Sequence, residues 1–184
     1  MYKKILGCLL GAAARDAMGA ATETRTRQQI EETFGGYVTE FLTPPGDTFA
    51  RGSRAGQVTD DFSVAYVTLQ EILKSKKVDE ETAIAGLLKW AAVPEYFDRF
   101  AGPTTRAMVK ELQGQKPEVD VFVPVNENSK ATNGGAMKAA PIALLAKGDI
   151  NQAIEKAVTV CRVTHNNNIA LAGAAAVGAA TAAA

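Results

Sequence analysis

The chain has 184 residues, with twenty Lys and Arg against twenty Asp and Glu, one histidine and two cysteines. That length suits a single domain, residues 1–184, with its own apolar core. The cancelled charge leaves no long-range field to recruit nucleic acid or an anionic membrane, and Cys8 and Cys161 make no disulfide framework, which points to a reducing, cytoplasmic setting.

The N-terminal Lys3-Lys4 followed by ILGCLLGAAA has the basic-then-apolar order of a signal peptide. However, only Ile5, Leu6 and Gly7 separate the lysines from Cys8, and the apolar run breaks at Arg15-Asp16. The pattern predicts instead a buried first helix over residues 3–19, with Ile5, Leu9, Ala12, Ala13 and Asp16 on one face. Gly7, Gly11 and Gly19 would allow close backbone approach. Thr26 can cap a short helix carrying Ile30 and Phe34, stopped by Gly35-Gly36. Residues 43–56 read as a loop.

A strong amphipathic helix follows Asp60, with Phe62, Tyr66, Leu69 and Leu73 at helical spacing. Asp79 caps a helix running to Ala92, closed by Val93-Pro94. Gly102-Pro103 opens another, terminated near Gly114. Residues 117–126 alternate Val119, Val121, Val123 and Val125, which suggests a short extended piece kept off any central strand by Pro124. Helical patterning resumes at Gly134, with Pro141 a kink or a late helix start, and Asp149 caps residues 150–163. After Thr164-His165-Asn166-Asn167-Asn168, an Ala- and Gly-rich helix runs over 169–184. The fold class is all-α, a compact helical bundle.

Four stretches could carry chemistry. Thr59-Asp60-Asp61 starts a helix, where one oxygen acceptor suffices as a cap. Three in succession also form a convergent hard-ligand set of the kind that suits Mg²⁺ or Mn²⁺. Asp16 lies among small apolar residues and needs a hydrogen-bonding partner, for instance by capping a neighbouring segment. Glu23, just beyond Gly19, is either a solvated loop residue or an acid–base group reaching into a cleft. Asn133-Gly134-Gly135-Ala136 is either an ordinary turn or a place where backbone N–H groups approach a phosphate. His165 is by itself a loop hydrogen-bonder.

In this order the elements resemble the ADP-ribosylglycohydrolase family, which includes the dinitrogenase reductase-activating glycohydrolases. The resemblance rests on Asp16-Ala-Met-Gly19 with a following Glu23, then Gly56-Gln-Val-Thr59-Asp60-Asp61, then Asn133-Gly-Gly-Ala-Met-Lys138-Ala-Ala-Pro141, then Thr164-His165. It implies an all-helical fold around a cleft holding two divalent ions, Mg²⁺ or Mn²⁺. Thr59, Asp60 and Asp61 would match one half of the metal site, and Glu23 and Asp61 would be catalytic. Residues Asn133, Gly134, Gly135 and Ala136 would match a phosphate-binding segment, and His165 would line the ADP-ribose pocket. The implied reaction is hydrolysis of the glycosidic bond between ADP-ribose and a protein side chain, or a related N-ribosyl compound. The implied partners are an ADP-ribosylated protein or a small ADP-ribosyl compound, with self-association left open. The alternative is a non-catalytic structural or binding member of the same fold, like the jellyfish J crystallins.

Arg15, Phe62 and Lys138 depart from the residues usual in that family, and nothing after Glu155 is acidic, so the family's late Asp-rich motif has no counterpart. The expectation is a chain lacking the fold's C-terminal helices, with one apolar face of residues 169–184 uncovered or covered by another polypeptide, and with weak metal binding and little hydrolase activity for the 184 residues alone.

Overall fold

The computed structural model of the chain describes residues 1–116, 128 and 131–184. Within these residues the regular structure is helical, with no strand. The order is α1 (Tyr2–Gly19), α2 (Arg27–Phe34), α3 (Asp60–Ser75), α4 (Glu80–Ala91), α5 (Pro94–Phe100), α6 (Pro103–Leu112), α7 (Ala139–Ala143), α8 (Ile150–Arg162) and α9 (Asn168–Ala183). The all-α expectation holds. The Val119-to-Val125 alternation lies outside the described residues.

Local chemistry sets the helix ends. Thr26 and Gln29 form a reciprocal capping box, and Gly35 closes α2 at φ 75°. Asp79 and Asp149 accept the backbone N–H groups of Thr82 and Gln152 at the starts of α4 and α8. Pro94 was expected only to close a helix, but it also opens α5, because proline at the first helical position gives up a hydrogen bond the helix never makes. A 3₁₀ turn at Ala136–Lys138 leads into α7 and puts Pro141 in its first turn, a late start rather than a kink.

The core forms where α3 and α4 pack together and receive Val109 from α6, Ile142 from α7 and Val160 from α8. Trp90 of α4 is fully buried between Tyr96 and Phe97, and its Nε1–H donates to Ser63 Oγ at 2.8 Å. That bond ties the first turn of α3 to the middle of the core. The buried face of α3 is Ser63, Val64, Ala65, Thr68, Leu69 and Ile72. The expected row of Phe62, Tyr66, Leu69 and Leu73 is therefore corrected: Tyr66 and Leu73 are exposed, and Phe62 stacks on Tyr66 at the helix edge. Burial follows the side on which α4 packs, and there Gly86 lets the two backbones meet.

A Cβ at Gly86 would stand 2.7 Å from Thr68 Cα. Alanine in mid-helix ordinarily gains about 1 kcal/mol over glycine. Here Gly86→Ala is expected to reverse that sign and cost about 3 kcal/mol through overpacking, as read by chemical denaturation.

The first helix was expected to be buried, and it is not. Only Ala17 of α1 is buried, while Tyr2, Leu6 and Leu10 are exposed. Its inward face is the expected one, with Ile5, Leu9, Ala12, Ala13 and Asp16 all half-buried. Gly7, Gly11 and Gly19 do not mediate close packing, since a Cβ at any of them would meet nothing within 4 Å. Besides the one at Gly86, a close helix contact lies between α8 and α9, where a Cβ on Gly178 would stand 3.0 Å from Ala157 Cβ. On its far side α9 exposes Ala172, Ala176, Ala180 and Ala183. Among the described residues no helix is long and apolar enough to cross a membrane.

Candidate active site

The site is organised by Asp16, in the last full turn of α1. Its Oδ2 accepts the backbone N–H groups of Thr59 at 2.8 Å and Phe62 at 3.1 Å, and its Oδ1 accepts the Thr59 hydroxyl at 2.6 Å. A carboxylate from another helix thus serves the N-terminus of α3, which the Thr59 side chain leaves uncapped. The expectation that Thr59, Asp60 or Asp61 caps its own helix is replaced by this arrangement. Asp60 and Asp61, in the first turn of α3, are released from capping and turn to the cleft.

Two adjoining cavities make up that cleft. One, of about 460 Å³, is lined by Arg15, Asp16, Glu23, Thr59, Asp61, Phe62 and Asn133 among others. The other, of about 290 Å³, shares Glu23, Asp61, Asn133 and Met137, and adds Asp60, Thr104, Thr105, Gly134 and His165. Glu23 and both aspartates of the α3 start therefore share one cleft, as expected. Thr104 and Thr105, in the first turn of α6, went unread in the sequence; Gly102-Pro103 marked a helix start, and threonine beside it carries no signal of a site.

The electrostatics are those of crowded like charges. Burial pushes the Asp60 carboxyl up to about 7, with Asp61, Glu23 and Asp16 adding repulsion. Burial and then Asp16 and Glu23 push Asp61 up to about 6. Glu23 is raised by burial and by Asp16, and Asp16 is raised by burial against its three hydrogen bonds. Among the described residues none of the four carboxylates forms an ion pair.

The donor chemistry of Thr59, Asp60 and Asp61, all hard oxygens on one side of a cleft, fits a small divalent cation. The set is partial: among the described residues no group of three His, Cys, Asp or Glu side chains is disposed to hold a metal ion.

On the opposite wall, the glycines after Asn133 have a packing role. A Cβ at Gly134 would fall 2.3 Å from His165 Cε1, and one at Gly135 would fall 2.1 Å from Cys161 Sγ. Glycine is therefore required at both positions by the packing of His165 and Cys161. Asn133 is exposed and lines both cavities, while Ala136 begins the 3₁₀ turn. His165 is buried, and burial with the neighbouring Lys138 charge holds its ring neutral, pushed down to about 3.

An all-helical scaffold that gathers four carboxylates and a lone histidine around one cleft defines a class, and comparison with known proteins names it. The family model described as ADP-ribosylglycohydrolase matches residues 1–184, and the chain belongs to that family. It is 31% identical over 177 residues to the protein YegU of Escherichia coli K12, covering 94% of this chain and 51% of the relative. An uncharacterised protein of Archaeoglobus fulgidus is 32% identical over 185 residues, at 99% and 56% coverage. The ADP-ribosylarginine hydrolase Tri1 of Pseudomonas putida is 28% identical over 168 residues, at 87% and 41%. The chain spans about half the length of these curated relatives.

Proposed function

We propose that the protein hydrolyses the glycosidic bond joining ADP-ribose to a protein side chain, or a related N-ribosyl compound, with a divalent metal. The observation that carries this reading is the convergence of Asp16, Glu23, Asp60 and Asp61 on one cleft without an ion pair among the described residues. Repulsion among them is a cost in a purely structural protein and a use in one that binds cations.

Thr59, Asp60 and Asp61 would hold Mg²⁺ or Mn²⁺, which when bound supplies positive charge to orient ribose hydroxyls and to acidify a water. Asp16 keeps the start of α3 in place and so sets where those oxygens lie. Glu23, at the junction of the two cavities, carries a proton at its carboxyl more readily than an ordinary glutamate. It would pass that proton to the leaving group as the bond from C1′ to that group breaks and a water oxygen bonds C1′, the water giving its proton to the Asp61 carboxylate, through an oxocarbenium-like transition state. Asn133 and His165 would contact the ADP-ribose portion from the opposite wall. The family membership and the ADP-ribosylarginine hydrolase among the relatives support this substrate class.

The test is release of ADP-ribose from ADP-ribosylarginine by the full-length protein in the presence of Mn²⁺ or Mg²⁺. Glu23→Gln is expected to cut turnover at least about 100-fold, with the melting temperature nearly held because the Glu23 carboxyl makes no hydrogen bond or ion pair among the described residues. Full activity in that variant, or no release with either metal, would overturn the reading.

A further inference from the structure

Beneath the Asn133–Ala136 turn lies a buried cation that the chemistry above does not use. Lys138 is 5% exposed, and no ion pair holds its charge among the described residues. Its Nζ donates to Thr164 Oγ1 at 2.6 Å. The same oxygen lies 2.8 Å from His165 Nδ1, and Thr164 and His165 are 6% and 4% exposed. Cys161 does not compete for this hydroxyl, because its thiol points to the backbone oxygens of His165 and Ala170.

A hydroxyl has one proton and two lone pairs, and an ammonium can only donate. Lys138 therefore takes a lone pair of Thr164 Oγ1. Were His165 Nδ1 also to donate, the hydroxyl proton would be buried with no acceptor, which is the costly arrangement. The pairing that leaves the hydroxyl proton with an acceptor sends it to Nδ1. The single proton of a neutral imidazole then sits on Nε2. That atom has no hydrogen-bond partner among the described residues, and the ring lines the cavity shared with Asp60, Asp61 and Glu23. A second ring proton would have to point at a hydroxyl already held by an ammonium, so the imidazolium is disfavoured by the same geometry.

We propose that Lys138 and Thr164 are positioning residues that fix His165 as the neutral tautomer protonated on Nε2, making the ring a one-way hydrogen-bond donor into the cleft. The acceptor it suits is an oxygen of the ligand's phosphate or ribose. That ligand assignment rests on the reading of function above, whereas the tautomer does not.

His165 is the only histidine, so two-bond proton–nitrogen NMR correlations of the ¹⁵N-labelled chain report one ring without ambiguity. In the free chain at neutral pH, Nε2–H is expected to exceed Nδ1–H by at least about tenfold. Thr164→Val should abolish that excess and Thr164→Ser should restore it. Lys138→Met should also erode it, while Lys138→Arg, which again only donates, should keep it. If Lys138→Met fails to fold, the Val and Ser pair at Thr164 still decides. Nδ1–H in the wild-type chain, or an unchanged tautomer in Thr164→Val, overturns the proposal. Titration with ADP-ribose then reads the donor role: the Nε2 proton should move downfield on binding. ADP-ribose that shifts other resonances but not this one overturns the donor role. ADP-ribose that does not bind overturns the functional reading and the ligand named here, while the tautomer is judged separately in the free chain.

Discussion

Asp16→Ala is expected to destabilise the chain by about 3 kcal/mol, lowering its melting temperature by about 9 °C. The loss comes from three hydrogen bonds to one carboxylate, two from backbone N–H groups and one from the Thr59 hydroxyl. Hydrogen bonds to a charged group contribute about 1.5–3 kcal/mol each, and the donors left behind at the start of α3 have no obvious substitute. Part of the loss is offset, because removing Asp16 also relieves its repulsion of Asp61 and Glu23. Asp16→Asn should recover about half, since its amide oxygen can keep both backbone N–H bonds and the Thr59 hydroxyl can turn to accept from the amide nitrogen, while the charge that strengthens all three is lost. Calorimetry and urea titration check both variants. A change within about 0.5 kcal/mol for Asp16→Ala would show that α3 is capped some other way.

The same residue shows what a sequence reading can and cannot reach. Asp16 stands out in the sequence as a carboxylate among alanines that must find a partner, and a neighbouring segment in need of a cap is one candidate. The partner is 43 residues away, and no local pattern names it. Helix existence was legible wherever the signal is local, as at the Thr26, Asp79 and Asp149 caps, because those bonds close within three residues. Depth was less legible. An alanine- and glycine-rich α1 reads as interior, yet composition reports only what a helix tolerates, and burial depends on which neighbours arrive. The face of α3 was misread for a related reason: Tyr66 and Leu73 fit the helical period, while Thr68 and Gly86 mark the true contact through their small size. The glycines at 134 and 135 illustrate a third limit. Their need for space was visible, but the groups filling it, the His165 ring and the Cys161 thiol, lie some thirty residues further along the chain.

Asp60→Asn separates the two roles of the Thr59-Asp60-Asp61 stretch, helix start and cation ligand. In the divalent-free chain, the Asp60 carboxyl keeps its proton to about pH 7, whereas in the unfolded chain it ionises in the ordinary carboxylate range. Between those values the native state binds more protons than the unfolded state, so stability falls as pH rises. The contribution is complete below the unfolded value and is lost as pH climbs through 7. His165 works in the opposite direction, since its folded pKa lies below its unfolded one and its contribution is lost as pH falls. It is common to both proteins and cancels in their difference. Asn cannot ionise, and because Asp16 rather than Asp60 serves the α3 backbone, the helix start survives the exchange. Without divalent ions, Asp60→Asn should therefore melt on the order of 5 °C above wild type at pH 8 and within about 2 °C of it at pH 4. Adding Mn²⁺ at pH 8 should raise the wild-type melting temperature and leave the variant where it was. In the whole protein the exchange should cost about 100-fold or more in ADP-ribose release. A melting difference equal at both pH values, with Mn²⁺ stabilising both proteins alike, would return Asp60 to the role of a residue that merely begins a helix.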